Sequence, residues 1–104
     1  MYIVIFITAA NKKEAKRIAG ELVKHKLAAC VNIVDKIDSF FRWQGKIDTS
    51  EETLLIVKSS KSKLAQIIKL VKSIHSYKVP EIIALPIIGG LKSYLKWIGE
   101  SVSE

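Results

Sequence analysis

A chain of 104 residues and 11.6 kDa is one domain by size, and is long enough to bury a core without disulfide or metal staples. Its seventeen basic residues against ten acidic ones leave a net charge of +7, but fifteen of the seventeen are lysine and only Arg17 and Arg42 are arginine. Scattered lysine reads as solvated surface, so no nucleic-acid partner is expected; no apolar run approaches the roughly twenty residues of a membrane span, and one cysteine excludes an internal disulfide.

Tyr2 to Ala10 is a β-branched and aromatic run with almost no polar interruption, which predicts a central strand covered on both sides. Asn11 with Glu14 three residues on has the spacing of a capping box. Ala15, Ile18, Ala19, Leu22 and Val23 then recur at helical intervals, predicting an amphipathic helix from Lys12 to Lys26. Ala28 to Trp43 reads as a second, long strand with Asp35, Lys36 and Asp38 marking a bend or bulge. Gln44-Gly45-Lys46 is a tight turn, and Ile47 to Ser59 returns as the third strand of a long, projecting hairpin.

Ser60 or Ser62 is expected to cap a second helix, with Leu64, Ile67, Ile68, Val71 and Ile74 as its apolar stripe and its end near His75. Glu81 to Ile88 forms a fourth strand in which Pro86 implies an edge or a break in pairing. Gly89-Gly90 turns the chain into a C-terminal helix carried by Leu91, Tyr94, Leu95, Ile98 and Val102. The order β-α-β-β-α-β with an added helix predicts an α+β, ferredoxin-like βαββαβ sandwich in one domain spanning 1–104. Two helices cover one sheet face. Since the strands are apolar on both faces, the other face is expected to be buried by further copies of the chain. The architecture by itself says nothing about function.

The densest chemistry lies in His75-Ser76-Tyr77-Lys78-Val79-Pro80-Glu81-Ile82, where an imidazole, a phenol, an amine and a carboxylate occupy a connection between elements. Loops held by a rigid scaffold are where function concentrates. Pro80 forces Val79 toward an extended conformation and so fixes how Tyr77 and Glu81 are presented. A metal would need three or four ligands, and a set built on His75 would draw on Cys30, Glu81 or a second subunit. Cys30 alone reads first as a small buried hydrophobe. No nucleophile with its base, no cofactor motif and no phosphate loop is present, so no enzyme activity is expected. The aromatic residues Phe40, Phe41 and Trp43 are explained most simply as oligomer packing of the hairpin. Glu52 and Lys58 are solvated strand charges or, on the sharper reading, a buried pair.

Taken in order, several segments resemble the CutA1 family of divalent-cation tolerance proteins. They are Lys26-Leu27-Ala28-Ala29-Cys30-Val31-Asn32-Ile33, Ser39 with Trp43-Gln44-Gly45-Lys46-Ile47, Glu52 and Lys58, His75 to Ile82, Leu85-Pro86-Ile87, and Tyr94-Leu95-Trp97. The resemblance implies a homotrimer whose long hairpins pair between subunits, with Phe40, Phe41, Trp43 and Ile47 at the interface. It also implies tolerance to copper and other divalent metals, no required cofactor, and an architecture akin to PII signalling proteins. His75 matches the family's recurring histidine, so His75, Cys30 and Glu81 are the expected ligands of a divalent metal such as Cu2+. Two positions that ligate copper in some relatives are Ile7 and Ile74 here, and neither can ligate. Trp43, Glu52, Lys58 and Tyr77 are expected around an intersubunit cleft. The alternative reading is a PII-like small-ligand sensor or interaction module without direct metal chemistry. The free cysteine and the absence of a leader-like opening imply a cytoplasmic location. Lysine-rich polar faces with sixteen isoleucines suit a heat-adapted, thermostable protein.

Overall fold

The computed structural model describes residues 1–103. The elements are β1 (Tyr2–Ala9), α1 (Lys12–Lys24), β2 (Cys30–Trp43), β3 (Lys46–Ser60), α2 (Leu64–Ile74), β4 (Ile82–Pro86) and α3 (Lys92–Val102), with one 3-10 turn at Lys61–Lys63. The sheet runs β2-β3-β1-β4 and every pairing is antiparallel. This is the expected α+β arrangement, with the most apolar strand, β1, in the interior and Pro86 ending the edge strand β4.

Strand alternation sorts the two faces. Ile3, Ile5, Ile7 and Ala9 of β1 stand opposite Ser59, Val57, Leu55 and Thr53 of β3, and all are buried beneath α1 and α2. Ile18 and Leu22 of α1 and Ile67 and Val71 of α2 complete that core. The second face carries Val4, Phe6 and Thr8 of β1 with Leu54, Ile56 and Lys58 of β3. Part of it is covered by α3, whose Ile98 and Val102 are buried; a Cβ added at Gly99 would lie 3.0 Å from the Tyr2 hydroxyl. The remainder exposes Val34, Ile83, Leu85, Tyr94 and Trp97.

Several boundaries differ from the sequence expectation. Helix α1 stops at Lys24 rather than Lys26, because Lys26 turns into the left-handed region at φ 56°. There the Leu27 N–H donates to Leu22 O at 2.9 Å and the Lys26 N–H to Val23 O at 3.1 Å, the two bonds of a Schellman cap. Ser60 precedes the 3-10 turn without a side-chain bond, and Ser62 lies within that turn, so neither serine caps α2, which starts at Leu64. β2 starts at Cys30 and β4 is confined to Ile82–Pro86, both shorter than the apolar runs that contain them.

The hairpin β2–β3 reaches well past the helices and gives the molecule its 44 Å long axis. Gln44 and Gly45 both have positive φ, 51° and 77°, as a two-residue hairpin turn that matches strand twist requires. The anticipated bulge lies between Val34 and Ile37. Lys36 sits at φ 57°, and Asp35 Oδ1 accepts from the Lys36 N–H and the Thr53 hydroxyl, each at 2.9 Å. The inserted residue flips the alternation of β2. Cys30, Asn32 and Val34 share the second face before it; Ile37, Ser39, Phe41 and Trp43 share that face after it.

Candidate functional site

Along the hairpin, from Trp43 beside its turn to Thr8 of β1, a cavity of about 790 Å3 opens on the second sheet face. The flipped alternation of β2 supplies Ser39, Phe41 and Trp43, and β3 supplies Asp48 and Glu52 from the same face. Thr8 closes it from β1. The connection after α2 brings Tyr77, Lys78, Val79 and Glu81 to its mouth. Tyr77 and Glu52 meet directly: the phenol donates to Glu52 Oε2 at 2.8 Å. Burial, together with the Glu52 carboxylate that accepts this bond, pushes the Tyr77 phenol up to about 12.

His75 stands behind this cavity rather than in it. Its side chain is fully buried, and both ring nitrogens are engaged. Nδ1 accepts the Tyr77 N–H at 2.9 Å, which places the ring proton on Nε2, and Nε2 donates to Thr8 O at 2.8 Å. The ring is tilted against the Tyr77 phenol with centroids 4.8 Å apart. The imidazole thus ties the end of α2 to the end of β1 and has no lone pair free for a metal.

Glu14 completes the anchoring. Asn11 Oδ1 accepts the Glu14 N–H at 2.9 Å, one half of the anticipated capping box. The Glu14 carboxylate does not return to Asn11. Oε1 accepts the Ala10 N–H at 2.9 Å and Oε2 accepts the Ser76 N–H at 2.8 Å. Burial raises this carboxyl, but the Ala10 and Ser76 donors outweigh it and hold the group below the usual carboxylate range.

Cys30 and Lys58 lie elsewhere. They are cross-strand neighbours, and the register places them beside Val4, four residues along β1 from Thr8 and roughly 13 Å away. Lys58 Nζ donates to Asn32 Oδ1, the Cys30 thiol faces the same oxygen at 3.9 Å, and burial with the Cys30 contact pushes the Tyr94 phenol up. Of the seven expected metal and cleft residues, the structure gathers Trp43, Glu52, Tyr77 and Glu81. It separates Cys30 and Lys58 from them and commits His75 to the scaffold. The Glu52–Lys58 pair does not form, because the two stand six positions apart on one strand, roughly 20 Å. Among the described residues no three His, Cys, Asp or Glu side chains converge to hold a metal ion. Phe40, Phe41, Trp43 and Ile47 are all exposed in the single chain.

The pKa directions set a stability profile. Glu14 has a lowered folded pKa, so its contribution is present above the unfolded carboxylate value and is lost as pH falls through the folded one. Tyr77 has a raised folded pKa, so its contribution is present below about 10 and is lost as pH rises toward about 12. Stability measured by urea unfolding is expected to be flat between about pH 5 and 10 and to fall on both sides. Tyr77→Phe should reduce the alkaline limb, leaving the share of the raised Tyr94 phenol, and should not touch the acid limb; an unchanged alkaline limb would refute the Tyr77 assignment.

A family model described as CutA1 divalent ion tolerance protein matches residues 3–101. The chain is 49% identical over 102 residues to the rice chloroplastic protein CutA 1, covering 98% of this chain and 58% of the relative. The chain therefore spans little more than half the length of that relative, and 54% of the Arabidopsis chloroplastic CutA. Among solved structures, the periplasmic divalent cation tolerance protein CutA from Archaeoglobus fulgidus superposes with a TM-score of 0.96 at 50% identity, covering 99% of this chain and 100% of that one. The Cut A1 protein from Thermus thermophilus superposes with a TM-score of 0.97 at 43% identity, with the same coverage. No helix among the described residues is long and apolar enough to cross a membrane.

Proposed function

The chain belongs to the CutA1 family of divalent ion tolerance proteins, and from that premise we propose that it acts in tolerance to divalent metal ions, copper among them, as a homotrimer whose ligand contacts are made in the cleft beneath the hairpin and not on His75. One observation carries this reading. In a chain of net charge +7, three carboxylates, Asp48, Glu52 and Glu81, are spread around one open cavity with Trp43 and Tyr77 without converging on one point, while the histidine nearby has both nitrogens occupied. A fixed copper centre of His75, Cys30 and Glu81 does not fit this protomer. Carboxylates without imidazole or thiolate favour a divalent cation that keeps part of its water.

The trimer is supported by the second sheet face, where Val34, Ile83 and Leu85 of the strands and Tyr94 and Trp97 of α3 remain exposed. Such a patch marks an interaction surface, and hairpin aromatics beside the cleft would then be covered by a neighbouring subunit. The PII-like reading, a small-ligand sensor using the same cleft, is favoured by the cavity's size: about 790 Å3 lies within the range of ligand pockets. Lys78 at the mouth would take an anionic group of such a ligand. No catalytic role belongs to either reading. A cytoplasmic location is part of the proposal, supported by the single unpaired cysteine.

The test is a calorimetric Cu(II) titration of the assembled protein beside a variant carrying Asp48→Asn, Glu52→Gln and Glu81→Gln. Saturable binding weakened at least tenfold in the variant is expected. Equal binding by the two proteins would refute the cleft as the cation site.

A further inference from the structure

Glu14 belongs to α1, remote in sequence from the cleft, yet it makes a bond that bears directly on the cleft's geometry. Its two carboxylate oxygens are divided between two backbone donors: Ala10 N–H at the end of β1 and Ser76 N–H at the start of the connection that carries Tyr77, Lys78 and Glu81. The next residue along, Tyr77, is fixed at its N–H by His75 Nδ1 and at its hydroxyl by Glu52. His75 is in turn fixed by Thr8 O. Two hydrogen bonds joined by the Ser76–Tyr77 peptide link therefore run from α1 to the cleft floor, through Glu14, Ser76, Tyr77 and Glu52, and the two bonds of His75 brace Tyr77 from the side.

We infer that Glu14 is a positioning residue of the cleft: its carboxylate sets the path of residues 76–81, and through them the placement of Tyr77 against Glu52. This deepens the proposed function and rests on it only in taking the cleft as the working site. The chemistry requires a carboxylate. Both donors are backbone N–H groups, so the bridging group must accept twice and donate nothing. Glutamine, of equal size, offers one acceptor oxygen and one N–H2, and the N–H2 would face a donor. Aspartate is one methylene shorter and cannot span both. The cap bond to Asn11 Oδ1 is donated by the Glu14 main-chain N–H and so survives all these changes.

The experiment is amide hydrogen exchange by NMR on the full chain and on Glu14→Gln, with Glu14→Asp as a second variant. The Ser76 and Tyr77 amides are expected to exchange at least tenfold faster in both variants, while the Ile5 and Val57 amides of the buried strands stay within about twofold of the parent. Unchanged exchange at Ser76 and Tyr77 would overturn the inference. So would a uniform rise across the sheet, because Glu14 would then be a general stability residue. Cu(II) titration of the parent beside the Asp48, Glu52 and Glu81 variant separates the two layers. If exchange rises locally and the Asp48, Glu52 and Glu81 variant still binds Cu(II) as the parent does, the positioning role stands and the proposed function fails.

Discussion

His75→Ala is expected to unfold about 3–5 kcal/mol more easily than the parent chain, the largest loss from any polar substitution in the protein. The substitution empties a fully buried site and strands two part-buried backbone groups, Thr8 C=O and Tyr77 N–H. Each stranded group costs about 1–3 kcal/mol, and the lost ring adds a cavity. Urea unfolding at neutral pH measures the difference. A loss below about 1 kcal/mol would show that the ring's two bonds do little for the fold, and the case for a structural His75 would collapse. His75→Gln, whose amide can reach one of the two partners, should fall between them.

The second large effect concerns assembly. Ile83→Lys with Leu85→Lys places two ammonium groups on the second face of the edge strand β4, at side chains 51% and 44% exposed in the single chain. In an isolated protomer both lysines reach water and the fold tolerates them. In a trimer that buries this face each would need desolvation without a partner, at several kcal/mol. Sedimentation is therefore expected to show a particle of three times 11.6 kDa for the parent and of 11.6 kDa for the variant, with the far-UV circular dichroism unchanged. A variant that still sediments with the parent would place the subunit contacts elsewhere.

Much of the fold could be read from residues because periodicity reports burial directly. The unbroken apolar run of β1 announced an interior strand, the spacing of Leu64, Ile67, Val71 and Ile74 announced α2, and Pro86 announced an edge. The end of α1 was misjudged because nothing in the type of Lys26 signals a left-handed residue, a position that usually carries glycine. The site was legible in outline. Tyr77, Glu81, Glu52 and Trp43 do converge. Cys30 and Lys58 do not, because residue type indicates chemistry and only strand register indicates distance.

The bridging role of His75 was not legible for a related reason: an imidazole reads identically in sequence as a ligand or as a bridge between two backbone groups. Asp48 was missed, although it follows from the hairpin register opposite Phe41 once the bulge is placed. Glu14 was seen only as half of a capping box. Its bond to Ser76 spans 62 residues, and no local signal carries such a contact. The bulge itself was anticipated from Asp35 and Lys36, but not its consequence, which is to aim Phe41 and Trp43 into the cavity.

Electron paramagnetic resonance of one Cu(II) per protomer, bound to the assembled protein carrying His25→Ala, tests the central claim most directly. His75 is then the one remaining histidine. A signal of oxygen coordination without imidazole nitrogen coupling, lost when Asp48, Glu52 and Glu81 are neutralised, is the predicted result. Nitrogen coupling from a single imidazole that disappears in His75→Gln would contradict it, and would return the metal to the histidine.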